Sequence, residues 1–154
     1  MLFRSEGAEG DTATDLYAGV GLLSLPLARR FPQVTAVESG AGAVRDLEFN
    51  AARAGLGNLR AISQTAEEHL AQLQKAPDFV ALDPPRTGLG KVVVGRLIEL
   101  RPRQIAILAC DPATLARDLA GLMAAGYQVE RMTLVDLFPQ TYHLETVVRL
   151  KLAE

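Results

Sequence analysis

The sequence predicts a doubly wound α/β domain, a seven-stranded and mostly parallel sheet with an antiparallel pair of strands at its C-terminal edge. Three observations predict it. Short apolar runs alternate with segments of helical spacing over most of the 154 residues. The runs end repeatedly in glycines, acids or prolines, at Asp15 to Gly21, at Glu38, at Asp83-Pro84-Pro85 and at Cys110-Asp111-Pro112. The last two runs are joined by a short loop, as antiparallel neighbours are.

Each element follows from local pattern. Thr12 to Tyr17 is a first strand that enters the tight turn Ala18-Gly19-Val20-Gly21, and Leu22 to Arg30 carries helix formers interrupted by Pro26. Gln33 to Glu38 is a second strand. Gly42 to Ala54 then has Val44, Leu47 and Ala51 at helical spacing, and Gly55 stops it. Leu59 to Ser63 is a third strand, Ala66 to Gln74 a polar helix, and Phe79 to Leu82 a buried fourth strand. Lys91 to Leu100 is helical, and Gln104 to Ala109 is a fifth strand, apolar throughout after Gln104. Ala113 to Ala125 is a helix closed by Gly126, and Tyr127 to Asp136 and His143 to Leu152 are the sixth and seventh strands.

Bulk properties bound the function. The 154 residues, 49% of them hydrophobic, are enough for one domain with its own core. Residues 1–11 read as a linker or truncated end and residues 12–154 as the domain; the acidic start lacks the apolar stretch of a signal peptide. Sixteen Lys and Arg against eighteen Asp and Glu leave a charge of −2, without the basic excess of a self-sufficient nucleic-acid binder. The single cysteine rules out an internal disulfide and points to a reducing, cytoplasmic setting. No apolar run is long enough to span a bilayer, and no metal site is expected, since His143 has no second ligand at useful spacing.

In open α/β sheets ligands bind beyond the carboxyl ends of the strands, where the unusual residues fall. Asp15 and Tyr17 close the first strand, and Gly19 and Gly21 let the backbone approach a ligand that a Cβ would block. Glu38 closes the second strand, where a carboxylate accepts the hydroxyls of an adenosine ribose; alone, this fits NAD as well as S-adenosylmethionine. Ser24 stands where a dinucleotide fingerprint has its third glycine, which favours S-adenosylmethionine. A tight strand-to-helix turn would explain the glycines equally. The two prolines after Asp83 fix an extended loop that cannot pair with the sheet.

Cys110 precedes a helix in which Asp111 is the N-cap and Pro112 the first residue, so the helix dipole favours its thiolate. By residue type alone, a cysteine after an apolar strand is more often a small buried hydrophobe. Three separated motifs alter that balance: Asp83-Pro84-Pro85-Arg86-Thr87-Gly88, Cys110-Asp111-Pro112-Ala113-Thr114-Leu115-Ala116-Arg117-Asp118, and Asp136-Leu137-Phe138-Pro139 with His143-Leu144-Glu145. In this order they resemble the RNA (uracil-5-)methyltransferase family, and the resemblance covers the chain from about Asp15 onward.

The resemblance implies a Rossmann-like, class I S-adenosylmethionine-dependent catalytic domain that methylates C5 of a uridine in rRNA or tRNA. It implies Cys110 as nucleophile, Glu145 as general base, and Tyr17, Glu38 and Asp83 as donor contacts, to which Asp15, Gly19, Gly21 and Thr65 are added. Pro84, Arg86 and Arg117 are expected on the RNA side, although Arg86 and Arg117 are as readily surface cations or ion-pair partners. Such enzymes usually carry N-terminal RNA-binding segments, which are expected to grip the substrate. Four departures stand out: Asp111 replaces the common Asn, Ala18 replaces a common Cys, and Leu22 and Thr65 replace common polar donor contacts. The alternatives are a donor-binding or RNA-associated module without turnover, and a methyltransferase for another acceptor to which Cys110 is incidental.

Overall fold

The structure, a computed structural model, describes residues 9–136 and 145–153. Strands and helices alternate as β1 (Thr12–Leu16), α1 (Ser24–Ala28), β2 (Gln33–Glu38), α2 (Ala41–Arg53), β3 (Leu59–Ser63), α3 (Ala66–Gln72), β4 (Phe79–Leu82), α4 (Gly90–Leu100), β5 (Gln104–Ala109) and α5 (Pro112–Ala124). The strands β6 (Tyr127–Val135) and β7 (Glu145–Leu152) complete the order. The expected His143, with Leu137, Phe138, Pro139 and Leu144, lies outside the described residues, as do residues 1–8.

The strands form one sheet in the order β3-β2-β1-β4-β5-β7-β6. β1 to β5 pair in parallel, and β7 runs antiparallel between β5 and β6. The expected doubly wound sheet with its antiparallel C-terminal pair is therefore present. Because β1 is flanked by β2 on one side and β4 on the other, the chain reverses its winding there and opens a crevice at the carboxyl ends.

Side-chain alternation explains the two layers of helices. Val80 and Leu82 of β4 and Ile105 and Ile107 of β5 face a core shared with Leu70 of α3, Leu97 of α4 and Leu122 of α5. Phe79, Ala81 and Ala106 face the opposite way and pack with Leu27 of α1 and with Phe31, whose ring stacks on Phe79 at 5.6 Å. A smaller cluster of Ala18, Ala36 and Leu47 lies under α2.

The largest boundary difference is α1, which is five residues long where nine were expected. Pro26 fits its first turn, where the missing N–H has no intrahelical acceptor. Asn58 then closes the end, its Nδ2 donating to Ala28 O at 2.7 Å and Phe31 O at 2.8 Å. α3 stops two residues early because Leu73 turns extended and packs on the core. Its start is firm: Thr65 and Glu68 form a reciprocal capping box. At the other end of the sheet, β6 has a bulge between Val129 and Arg131 and exposes most of its side chains, as an edge strand does.

Candidate active site

At the end of β1 the backbone turns sharply. Tyr17 has φ 63°, a left-handed value rare for a non-glycine residue, followed by Gly19 at φ 53° and Gly21 at φ 102°. Glu38, closing β2, holds this turn: its Oε2 accepts from Gly19 N at 3.0 Å and its Oε1 from Gly40 N at 2.7 Å. An added Cβ at Gly19 would meet nothing within 4 Å, so its outer face is open. Beside it lies a cavity of about 170 Å³ lined by Tyr17, Val37, Glu38, Ser39 and the 64–67 segment.

Asp15 lies beneath this turn and has no solvent-exposed surface. Ser24 Oγ donates to its Oδ2 at 2.5 Å, while its Oδ1 has no hydrogen-bond partner among the described residues. Burial pushes the Asp15 carboxyl up to about 7 against the hydrogen bond from Ser24, and the nearby charges of Asp83 and Glu38 push the same way. The Asp83 carboxyl is raised to about 6 by burial and by the charge of Glu145. Tyr17 stays a neutral phenol, pushed up to about 12 by burial and by Glu67 and Asp118. Three strand ends thus bring carboxyl groups close enough that the charges of Asp83 and Glu38 bear on Asp15.

The nucleophile candidate lies two strands further along the sheet. β5 and β7 pair from Gln104 with Lys151 to Ala109 with Thr146, so the next step of the register sets Cys110 across from Glu145. Cys110 is half-buried and Glu145 buried. Asp111 caps α5 as expected, its Oδ1 accepting from Thr114 N at 2.8 Å, and that bond holds its carboxyl below the usual range. Leu82 pairs with Leu16 and with Ile107, so Asp83 emerges between the end of β1 and the end of β5.

Residues 4–153 match the model of the tRNA (uracil-5-)-methyltransferase family. The chain belongs to that family. An RNA methyltransferase of Thermosynechococcus vestitus is 42% identical over 137 residues, which are 88% of this chain and 30% of the relative. One of Enterococcus faecalis is 41% identical over 143 residues, 91% of this chain and 31% of the relative. The tRNA (uracil-54, C5)-methyltransferase of Pyrococcus abyssi, solved in complex with S-adenosyl-L-homocysteine, is 32% identical and superposes with a TM-score of 0.85 over 95% of this chain and 36% of its own. The chain thus spans about a third of the length of these relatives.

Within this uracil-5-methyltransferase frame, the structure gathers Tyr17, Glu38 and Thr65 around one cavity and brings Asp83, Cys110 and Glu145 to the neighbouring strand ends. Asp15 lies under the turn, away from the cavity surface. Pro84 is buried, whereas Arg86 is exposed and close enough to Asp111 to favour its charge. The Arg117 guanidinium donates to Asp118 Oδ1 and to Thr87 O, the ion-pair reading of its type. Leu22 is 67% exposed and lines no part of the cavity.

Sequence reasoning missed Gln64 and Glu67, which line the cavity, and Asp118. The Asp118 signal was legible, because a carboxylate at that position shares a helical face with Leu115 and Leu122 and so must be buried with partners. A larger hollow of about 660 Å³ opens between the end of α2 and the start of β3, lined by Ala51, Leu56 and Arg60 among others, and holds none of the strand-end residues. Among the described residues no group of three or more His, Cys, Asp or Glu side chains is placed to hold a metal ion, and no helix is long and apolar enough to cross a membrane.

Proposed function

We propose that this domain transfers a methyl group from S-adenosylmethionine to C5 of a uridine in tRNA or rRNA. The carrying observation is the β5–β7 register, which sets Cys110 across from Glu145 beside Asp83. The cavity fits the adenosine end of the donor: Val37 and Ala66 offer apolar contact, Glu38 retains lone pairs for ribose hydroxyls, and Thr65 and Gln64 supply polar edges. Gly19, with its open outer face, admits the donor chain, whereas Gly21 abuts Leu25 and Leu47 and serves the turn, and Asp83 faces the donor's cationic end. Asp15 contributes from below through the turn.

The chain's own residues account for the rest of the reaction. The Cys110 thiolate adds to C6 of the uracil, forming a C–S bond and moving the C5–C6 electron pair toward O4, which makes C5 nucleophilic. The bound donor supplies an electrophilic methyl group on a sulfonium. Glu145 then accepts the proton left on C5, and the electron pair of that C–H bond restores the double bond as the C6–S bond breaks and returns the thiolate. Pro84 and Arg86 line the RNA side, and a structured RNA would present its uridine turned out of the stack.

Covalent trapping on an RNA carrying 5-fluorouridine, with donor present, tests this directly. The C5 fluorine cannot leave as a proton, so the adduct persists. Trapping that disappears in Cys110→Ala supports the reading, and a stable adduct in that variant overturns it. Calorimetry with S-adenosylhomocysteine separates a donor-binding module that does not turn over from a chain that binds no donor.

A further inference from the structure

The 83–89 loop is fastened to α5 at three backbone positions. The Thr114 hydroxyl donates to Arg86 O at 3.2 Å, with Asp111 O at 3.3 Å as its alternative acceptor. Arg117 Nη2 donates to Thr87 O at 2.9 Å. Asp118 Oδ2 accepts from Leu89 N at 2.7 Å, and its Oδ1 takes Nε and Nη2 of Arg117 at 3.0 and 2.8 Å. The fit is tight: Gly88 has φ 76°, and a Cβ there would lie 2.5 Å from Asp118 Oδ2 and 2.6 Å from Arg117 Nη2.

This arrangement is more than a loop resting on a helix. Pro84 and Pro85 have no N–H to give the sheet, so the loop depends on side chains for its position. The helix that supplies them begins two residues after Cys110. Asp118 is 4% exposed, and a carboxylate so buried is kept only with its full set of donors, which here are the loop amide and the Arg117 guanidinium. One rigid helix therefore carries the thiol at its start and the grip on the loop one to two turns later.

We propose that Thr114, Arg117 and Asp118 are positioning residues that hold Asp83 and Arg86 at a fixed place relative to Cys110. This rests on the reading of Cys110 as nucleophile and of the 83–88 loop as lying between donor and RNA. The three side chains act through the loop and touch neither reactant. The positioning role also separates Arg117 from a phosphate contact, because the two functions leave different signatures.

The test uses the full chain and the 5-fluorouridine RNA. In Arg117→Ala and Thr114→Val the trapping rate at saturating RNA should fall about tenfold each, with the salt dependence of RNA binding unchanged. Thr114→Ser should restore the wild-type rate. The double variant should lose less than the product of the single losses, because both act on one loop. Unchanged saturating rates, or weaker RNA binding with a salt slope reduced by about one, would overturn the proposal in favour of a phosphate contact. Hydrogen exchange at Leu89 N–H supplies a readout independent of RNA, expected to quicken at least tenfold in Asp118→Asn and Asp118→Ala. Unchanged exchange removes the clamp itself. Exchange that quickens in a protein whose wild type traps nothing removes the assigned reaction, and the positioning role with it, while leaving the clamp in place.

Discussion

The donor half and the acceptor half of the sheet edge are held by opposite means. On the donor half the carboxylate proposed to hold the ribose, Glu38, also ties down the backbone amides of Gly19 and Gly40. On the acceptor half, Thr114, Arg117 and Asp118 grip the 83–89 loop while the proposed reacting groups, Cys110 and Glu145, stand apart from the grip. Local order and ligand affinity are therefore inseparable beside the cavity. Around Cys110 the scaffold can be loosened with the reacting groups left in place, so that the reaction slows without being lost, or the reacting groups removed with the scaffold intact.

The strongest test of that division is Glu145→Gln. The amide is nearly isosteric and keeps the β5–β7 register, so folding and trapping of 5-fluorouridine RNA should persist. Turnover on ordinary RNA should fall about 10²- to 10⁴-fold, with a covalent RNA adduct accumulating because the C5 proton has no acceptor. Mass spectrometry of the reaction mixture decides it: turnover falling without an adduct would move the base elsewhere.

The donor half makes its own prediction through Asp15, whose carboxyl is raised from 3.8 to about 7 chiefly by burial. The folded protein keeps a proton that the unfolded chain releases, so this group's contribution is fully favourable below about pH 4 and is lost as pH rises toward 7. The loss is on the order of 4 kcal/mol. Asp83, raised to about 6 by burial and Glu145, acts in the same direction over a narrower window. Asp15→Asn should flatten the fall in unfolding free energy between pH 4 and 8, measured by urea titration; an equally steep fall in the variant would show that Asp15 does not carry it.

Glu38→Gln couples the two roles of one side chain. Glutamine offers a single oxygen, and its NH₂ then faces one of the two amides that the carboxylate accepts. S-adenosylhomocysteine affinity should fall about thirtyfold, with a loss of stability of about 2 kcal/mol in the same variant. Alteration of α5 should show no such pairing. If Glu38→Gln weakens donor binding without lowering the melting temperature, the contrast between the halves fails on the donor side.

Much of this was legible in the sequence for a physical reason. β2, β4 and β5 end where expected because buried parallel strands read as apolar runs cut off by polar or proline residues, and the edge strand β3, which buries none of its residues, also keeps its expected bounds. Asp111 was readable as an N-cap because capping is a local rule. α1 was overestimated because its end depends on Asn58, distant in sequence. The approach of Cys110 to Glu145 could be inferred only through family resemblance, since the register of two strands separated by a helix and a third strand is written in no local pattern. Arg117 was ambiguous for the same reason: its partner Thr87 lies 30 residues away in the loop between β4 and α4.

The smallest predicted effect lies at the seam between the halves, at Asp111. A carboxylate beside a thiol opposes thiolate, which argues that Asp111→Asn should make Cys110 more reactive. The structure tempers that argument. Asp111 already gives its charge to the first turn of α5, with Oδ1 on Thr114 N and Arg86 nearby, so part of its field is neutralised before it reaches the sulfur. Asparagine can keep the same cap through its own Oδ1, which leaves α5 and the loop clamp undisturbed. Alkylation of Cys110 at pH 7 should therefore quicken only two- to fivefold, with the melting temperature unchanged. A larger acceleration would mean that the cap leaves the carboxylate charge bearing on the thiol, whereas a slower reaction would mean that Asp111 assists the thiolate through the helix end instead of opposing it.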